Sequence, residues 1–197
     1  MSDPLFADDD DANTPLTEEE REQLIPSYIT TRAELNEAEQ ANIAQGVRWL
    51  ARARSVEILD DAFLRKLHER MFGEVWKWAG QYRTSPRNIG IDAYRIPTEV
   101  RQLIDDARYW IESQTYPADE IAVRFSHRLV AIHPFPNGNG RLSRLVANLL
   151  IEKLGNERFT WGRNSLDDPS EMRNDYICAL RAADDGDIND LLEFARS

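Results

Sequence analysis

Pro134 and Pro136 interrupt a chain that is strongly helical in pattern on both sides, and this interruption constrains the fold more than any other feature. Before them, Ile121, Phe125, Leu129 and Ile132 fall on one stripe of a helix expected over 119–132. Proline has no backbone N–H and its ring clashes with the preceding turn, so that helix cannot continue. After them, Leu142, Leu145, Val146, Leu149 and Leu150 renew the helical period until Gly155, a residue suited to a helix C-terminus. Two helices are thereby joined by His133-Pro-Phe-Pro-Asn-Gly-Asn-Gly-Arg141.

The rest of the chain is mostly helical in pattern as well. Residues 34–53 lack proline and carry Ala38, Ile43, Val47 and Leu50 at spacings compatible with one inward face. Asp60 or Asp61 suits the cap of a helix that turns Phe63, Leu64, Leu67 and Met71 inward and ends near Gly73. Pro97 fits the first turn of another helix, with Val100, Ile104, Ala107 and Ile111 inward, and two shorter helices are expected over 170–183 and 188–195. Between Trp76 and Ile96, Gly80, Pro86 and Gly90 break the pattern, so this is the one region suited to turns and a short hairpin. The fold class is therefore all-α, with one short β-hairpin. At 197 residues and 42% apolar, the chain suits one domain over 21–197, after an acidic tail over 1–20 centred on Asp8 to Asp11.

Charge and motifs remove several functions. A formal net charge of −11 argues against a broad grip on nucleic acid or on an anionic membrane, so any phosphate must be held locally. No apolar run approaches the ~20 residues needed to span a bilayer, and a cytoplasmic location is expected. The single cysteine, Cys178, excludes an internal disulfide and reads as a small buried hydrophobe. There is no Gly-x4-Gly-Lys-(Ser/Thr) loop and no His-Glu-x-x-His pair, which sets aside a P-loop enzyme and a zinc hydrolase. His68 and His127, each inside a helical pattern, read as core or cap residues, and Trp49, Trp76, Trp110 and Trp161 as core.

The 133–141 loop carries the chemistry. Gly138 and Gly140 let the backbone turn its N–H groups toward one spot, at the positive end of the helix that follows. That is a cradle for an anion, phosphate above all. Arg141 and Arg144, three residues apart, share one side of the first helical turn and suit a polyphosphate. His133 lies one tight turn away, where an imidazole can take a proton from a hydroxyl attacking phosphorus in the cradle. Phe135 is suited to pinning the loop to the core. A plain Gly-Asn turn would explain the glycines and prolines, but not the histidine and both arginines.

The run His133-Pro-Phe-Pro-Asn-Gly-Asn-Gly-Arg-Leu-Ser-Arg144 closely resembles the Fic family signature, His-x-Phe-x-(Asp/Glu)-Gly-Asn-Gly-Arg-x-x-Arg. Trp78-Ala-Gly-Gln-Tyr-Arg83 resembles the lead into that family's flap, and the span from about Asp60 to Gly155 resembles its helical core. Residues 30–45 and 159–163 resemble the subgroup called mobile mystery protein B.

The resemblance implies a Fic-type helical bundle in which a β-hairpin flap lies near the active site. It implies a protein adenylyltransferase that moves AMP from ATP to a Ser, Thr or Tyr hydroxyl of a target protein. His133 would be the general base, Gly138, Asn139 and Gly140 would bind phosphates, and Arg141 and Arg144 would contact the triphosphate. The flap, comprising Thr84, Ser85, Arg87, Asn88, Ile89, Gly90 and Ile91, would hold the target by strand addition. Mg2+ or Mn2+ would accompany ATP.

Asn137 departs from the family pattern, which has Asp or Glu there; a neutral amide oxygen is a weak ligand for a hard cation, acting through water if at all. The departure leaves removal of AMP, transfer of another phosphate moiety, or a nucleotide-binding toxin–antitoxin module with little turnover as alternatives. Thr30 and Glu34 partly match the family's inhibitory (Ser/Thr)-x-x-x-Glu-(Gly/Asn) motif, with Leu35 out of pattern, and Thr31 with Glu34 equally forms a capping box. The subgroup resemblance adds a small helix-turn-helix companion as an expected partner, and a homo-oligomer stays open.

Overall fold

Short polar side chains start the helices in the first part of the chain. The computed structural model describes residues 16–53, 56–162 and 169–197. Thr17 accepts the Glu20 N–H while the Glu20 carboxylate accepts the Thr17 N–H, a reciprocal cap that opens α1 (Glu18–Arg21). Thr31 and Glu34 repeat the device at the head of α2 (Arg32–Arg52). Asp60 caps α3 (Asp61–Phe72) through the Phe63 N–H. A 3-10 turn (Ala93–Arg95) leads into α4 (Ile96–Glu112), with Pro97 in its first turn as expected. Then come α5 (Ala118–Ile132), α6 (Asn139–Lys153), α7 (Pro169–Asp184) and α8 (Asn189–Arg196).

Helix α5 is the centre of the bundle. It packs against α4, α6 and α8, while α2 lies on α3 and α7 on α8. Phe125 and Leu129 of α5 and Leu142, Val146 and Leu150 of α6 are all buried in the core. Each such side chain contributes about 1.5–3 kcal/mol when taken from water. The α6 stripe thus runs through Leu142, Val146 and Leu150, leaving Leu145 and Leu149 half-buried at its edge.

The expected hairpin over 84–91 is not formed: among the described residues there is no strand, and Leu24 and Trp76 form an isolated bridge. The reason lies in Arg83, which is buried. Its guanidinium donates to the carbonyls of Ser85 at 3.0 Å, Ile91 at 2.5 Å and His133 at 2.6 Å. Acceptors that a hairpin could use are thus taken by a side chain. The Ile91 N–H meanwhile donates to Ile132 and the Arg83 N–H to Pro134, so the segment pairs with the end of α5 rather than with itself.

Three further expectations change. The fully buried stripe of α2 is Leu35, Glu39, Asn42 and Gly46; Ala38, Ile43 and Leu50 pack half-buried against the core as expected, while Val47 is exposed. Asn42 earns its burial by bonding the Arg70 carbonyl and the Glu74 N–H, and a Cβ at Gly46 would lie 3.1 Å from the Arg70 carbonyl oxygen. Cys178 is exposed, because Tyr176, Ala179 and Ala183 take the inward face of α7. Of the acidic tail, residues 1–15 lie outside the described residues, and Glu18 to Glu20 belong to α1, with Glu20 buried.

Candidate active site

His133 terminates α5 in a left-handed conformation (φ 54°, ψ 60°), which turns the chain sharply into the loop. The loop is held by its own residues. Asn139 accepts the Phe135 N–H at 2.9 Å and returns its amide to the Phe135 carbonyl at 2.8 Å. Asn137 Oδ1 accepts the Gly138 N–H at 2.6 Å. Gly138 has φ +82°, and a Cβ there would stand 2.6 Å from the Phe72 ring, so conformation and space both demand glycine.

His68 fastens this loop from beneath. Its Nδ1 accepts the Gly80 N–H at 2.9 Å, so Nε2 carries the proton and donates to the Asn137 carbonyl at 3.0 Å. The ring stacks on Phe135 at 3.8 Å between centroids. Burial pushes the His68 pKa down to about 3, the nearby Arg141 charge acts the same way, and the Asn137 carbonyl opposes both. His68 is therefore a neutral core residue, as its helical setting predicted, and it ties the 78–83 segment to the motif.

Beyond the loop, α6 begins with Gly138 as N-cap and no side chain bonded across its first turn. The N–H groups at its head are consequently available to an anion. Asn139 contributes through its backbone, since both ends of its side chain are engaged with Phe135. A Cβ at Gly140 would meet nothing closer than Arg144 Nη1 at 4.0 Å, so the approach is open. Arg144 rests over the Tyr176 ring at 4.7 Å, and Arg141 over the Phe72 ring at 4.7 Å.

His133 itself is buried beneath the 84–91 segment. Gly90 crosses it so closely that a Cβ at that position would lie 2.5 Å from His133 Cβ. Burial first, then the Arg83 charge, push the imidazole pKa down to about 4; Arg87 adds to this, while a hydrogen bond to the Val130 backbone opposes it. His133 is thus neutral at pH 7 and able to accept a proton.

The expected flap residues divide into two groups. Ser85 and Arg87 face inward, both bonded to the Glu20 carboxylate of α1, while Thr84, Asn88 and Ile89 are exposed. Glu34 gives its carboxylate to the N–H groups of Thr30 at 2.8 Å and Thr31 at 2.9 Å, at the head of α2. Among the described residues, the ion pair to a motif arginine comes from Glu39, whose Oε2 accepts from Arg141 at 2.6 Å. Sequence reasoning missed Glu39, Arg83 and Glu20. For Glu39 a signal exists: it lies four residues after Leu35 and three before Asn42, on one helical stripe.

Comparison with known proteins places this geometry. Residues 58–151 match the model of the Fic/DOC family. The protein adenylyltransferase Fic of Drosophila yakuba is 30% identical over 134 residues, 66% of this chain and 26% of that protein. The Drosophila melanogaster protein of the same name is 29% identical over the same shares. The chain spans about a quarter of the length of these curated relatives, 26% in each case. Among solved structures, the effector BepC of Bartonella tribocorum with bound AMPPNP superposes with a TM-score of 0.70 at 18% identity, over 91% of this chain and 97% of that one. Fic-1 of C. elegans superposes with a TM-score of 0.62 at 23% identity, over 90% of this chain and 51% of that one. At these identities the structures establish the fold. The motif loop, α5 and all of α6 but its last two residues lie inside residues 58–151, and this segment is of the Fic/DOC family.

Proposed function

We propose that this chain is a protein adenylyltransferase that moves AMP from ATP to a hydroxyl of another protein. The observation that carries this reading is the junction of a neutral, buried His133 with the uncapped head of α6 across one short loop. The curated relatives, named as protein adenylyltransferases, support it. With one imidazole nitrogen engaged by the Val130 backbone, the other accepts the proton of the incoming hydroxyl. The hydroxyl oxygen bonds to the α-phosphorus as the bond from that phosphorus to the bridging oxygen breaks, and pyrophosphate leaves. Charge on the phosphoryl oxygens is met by the N–H groups at the head of α6 and by Arg141 and Arg144. Bound polyphosphate opposes the charges of Arg83 and Arg87 and so raises the basicity of His133 for the step. The exposed Thr84, Asn88 and Ile89 form the rim along which the target docks.

The residues do not fit a magnesium ion held by the protein itself. Asn137 offers an amide oxygen already bonded to Gly138, and among the described residues no cluster of three His, Cys, Asp or Glu is placed to hold a cation. A divalent cation, when bound, offsets phosphate charge, and its ligands here would be ATP oxygens and water. Asn137 also favours a second reading, transfer of a different phosphate moiety or removal of AMP.

The test is incubation of the protein and its His133→Ala variant with candidate target proteins and ATP labelled at the α- or the γ-phosphate. Protein-bound label from α-labelled ATP alone, reduced ~100-fold or more in the variant, is expected. Label from γ-labelled ATP would instead establish phosphotransfer.

A further inference from the structure

We infer that Glu39 is a positioning residue for nucleotide phosphates, acting through Arg141; the inference rests on the phosphate-binding reading above. Glu39 lies on α2, outside the 58–151 segment, with only 4% of its surface exposed. A carboxylate leaves water at a heavy cost unless its oxygens are bonded. Here both oxygens have partners, and the partners differ. Oε1 accepts the Trp76 indole N–H at 2.8 Å, and Oε2 accepts Nη1 of Arg141 at 2.6 Å. Trp76 is itself buried to 1% exposure, so its ring sets the direction in which the carboxylate points.

Arg141 is gripped from a second side by Phe72, the same ring against which Gly138 packs. The arginine is therefore fixed relative to the cradle by contacts from α2 and α3. Its side chain keeps 33% of its surface exposed, and only Nη1 is bonded to Glu39, which leaves other guanidinium donors for an incoming anion. Because the Glu39 carboxylate is buried, the pair is held together by the cost of stranding that charge. Glu39 thus holds Arg141 in place before nucleotide arrives, and the ordering cost is met on folding rather than on binding. Among the described residues Arg144 has no such anchor from α2, and it rests on Tyr176.

Glu39→Gln is the discriminating variant. Its amide oxygen keeps the Trp76 bond, while its NH2 group faces the Arg141 donors and cannot accept from them. ATP binding is measured by calorimetry in the wild type, Glu39→Gln, Arg141→Ala and the double variant, alongside KM and kcat for transfer. Glu39→Gln is expected to weaken ATP binding about tenfold, within the coupling range of a contacting pair, and to weaken it no further once Arg141 is gone. KM should rise by a similar factor, with kcat changed less. Unchanged or tighter ATP binding in a folded Glu39→Gln protein, or losses that add in the double variant, would overturn the inference. If Glu39→Gln does not fold, Glu39→Asp keeps the charge but shortens the reach, and unchanged ATP affinity there overturns it equally. Failure of the wild type to bind ATP would instead remove the phosphate-site reading itself.

Discussion

The 133–138 loop and the 84–91 segment lie against each other and both lack regular secondary structure, yet they are ordered by different means. Side chains of the loop bond its own backbone: Asn139 holds Phe135, four residues away, and Asn137 holds the next residue. The 84–91 segment is held through links to distant parts of the chain: Arg83 reaches His133, 50 residues away, and Ser85 reaches Glu20, 65 residues away. The loop is thus held largely by its own side chains, with His68 bonding Asn137 from beneath, whereas the 84–91 segment depends on links across the fold. The two halves should therefore fail separately.

The largest separation is expected from Arg83→Met. It strips charged donors from the carbonyls of Ser85, Ile91 and His133, with a loss of about 3 kcal/mol or more in denaturant titration. Hydrogen exchange should accelerate over 84–91 while the amides at the head of α6 keep their protection. Equal loss of protection in both regions would break the comparison.

Acid should act next, through two histidines that the fold keeps neutral. His133, lowered to about 4, and His68, lowered to about 3, bind protons more weakly folded than unfolded, where the ordinary value is 6.5. Their contribution to stability is complete above pH 6.5 and is lost as pH falls through that value toward about 4 and then about 3. Denaturant midpoints measured from pH 7.5 down to about 4 should fall steadily, and His133→Gln should flatten part of that fall. A midpoint independent of pH over this range would contradict the burial of both rings.

Asn139→Ala should have the smallest effect and sharpen the contrast. It removes both bonds to Phe135 at a cost of about 1–3 kcal/mol, and its exchange signature should stay within 133–141. Transfer activity should fall although His133, Arg141 and Arg144 are intact, because the cradle is no longer held in shape. Full activity in this variant would mean that the loop is ordered by His68 and Phe72 alone.

The same division explains what could be read from the chain. Asp60, Pro97 and the residues before Pro134 mark helix boundaries through interactions within a turn, and these boundaries were legible. The face of α2 was legible only in part: Ala38, Ile43 and Leu50 pack against the core, but its most buried stripe uses Glu39 and Asn42, whose burial is compensated by Trp76, Arg141, Arg70 and Glu74 from elsewhere. The place of Cys178 was not legible either: a small apolar thiol suits burial, whereas α7 turns Tyr176 and Ala179 inward and leaves Cys178 exposed. The hairpin expected over 84–91 had reasonable turn chemistry, but Arg83 occupies the carbonyls of Ser85 and Ile91.

By itself, then, the sequence determined the helix–loop–helix at 121–150, the glycines that open the head of α6, and the placing of His133, Arg141 and Arg144 around that junction. These follow from backbone rules and side-chain periodicity that act over a few residues. Tertiary structure alone decided that Glu39 anchors Arg141, that His68 ties the loop to Gly80, and that Arg83 and Glu20 lay the 84–91 segment over His133. Buried polar groups are stable only when distant partners satisfy them, and such pairing exists only once the helices have packed.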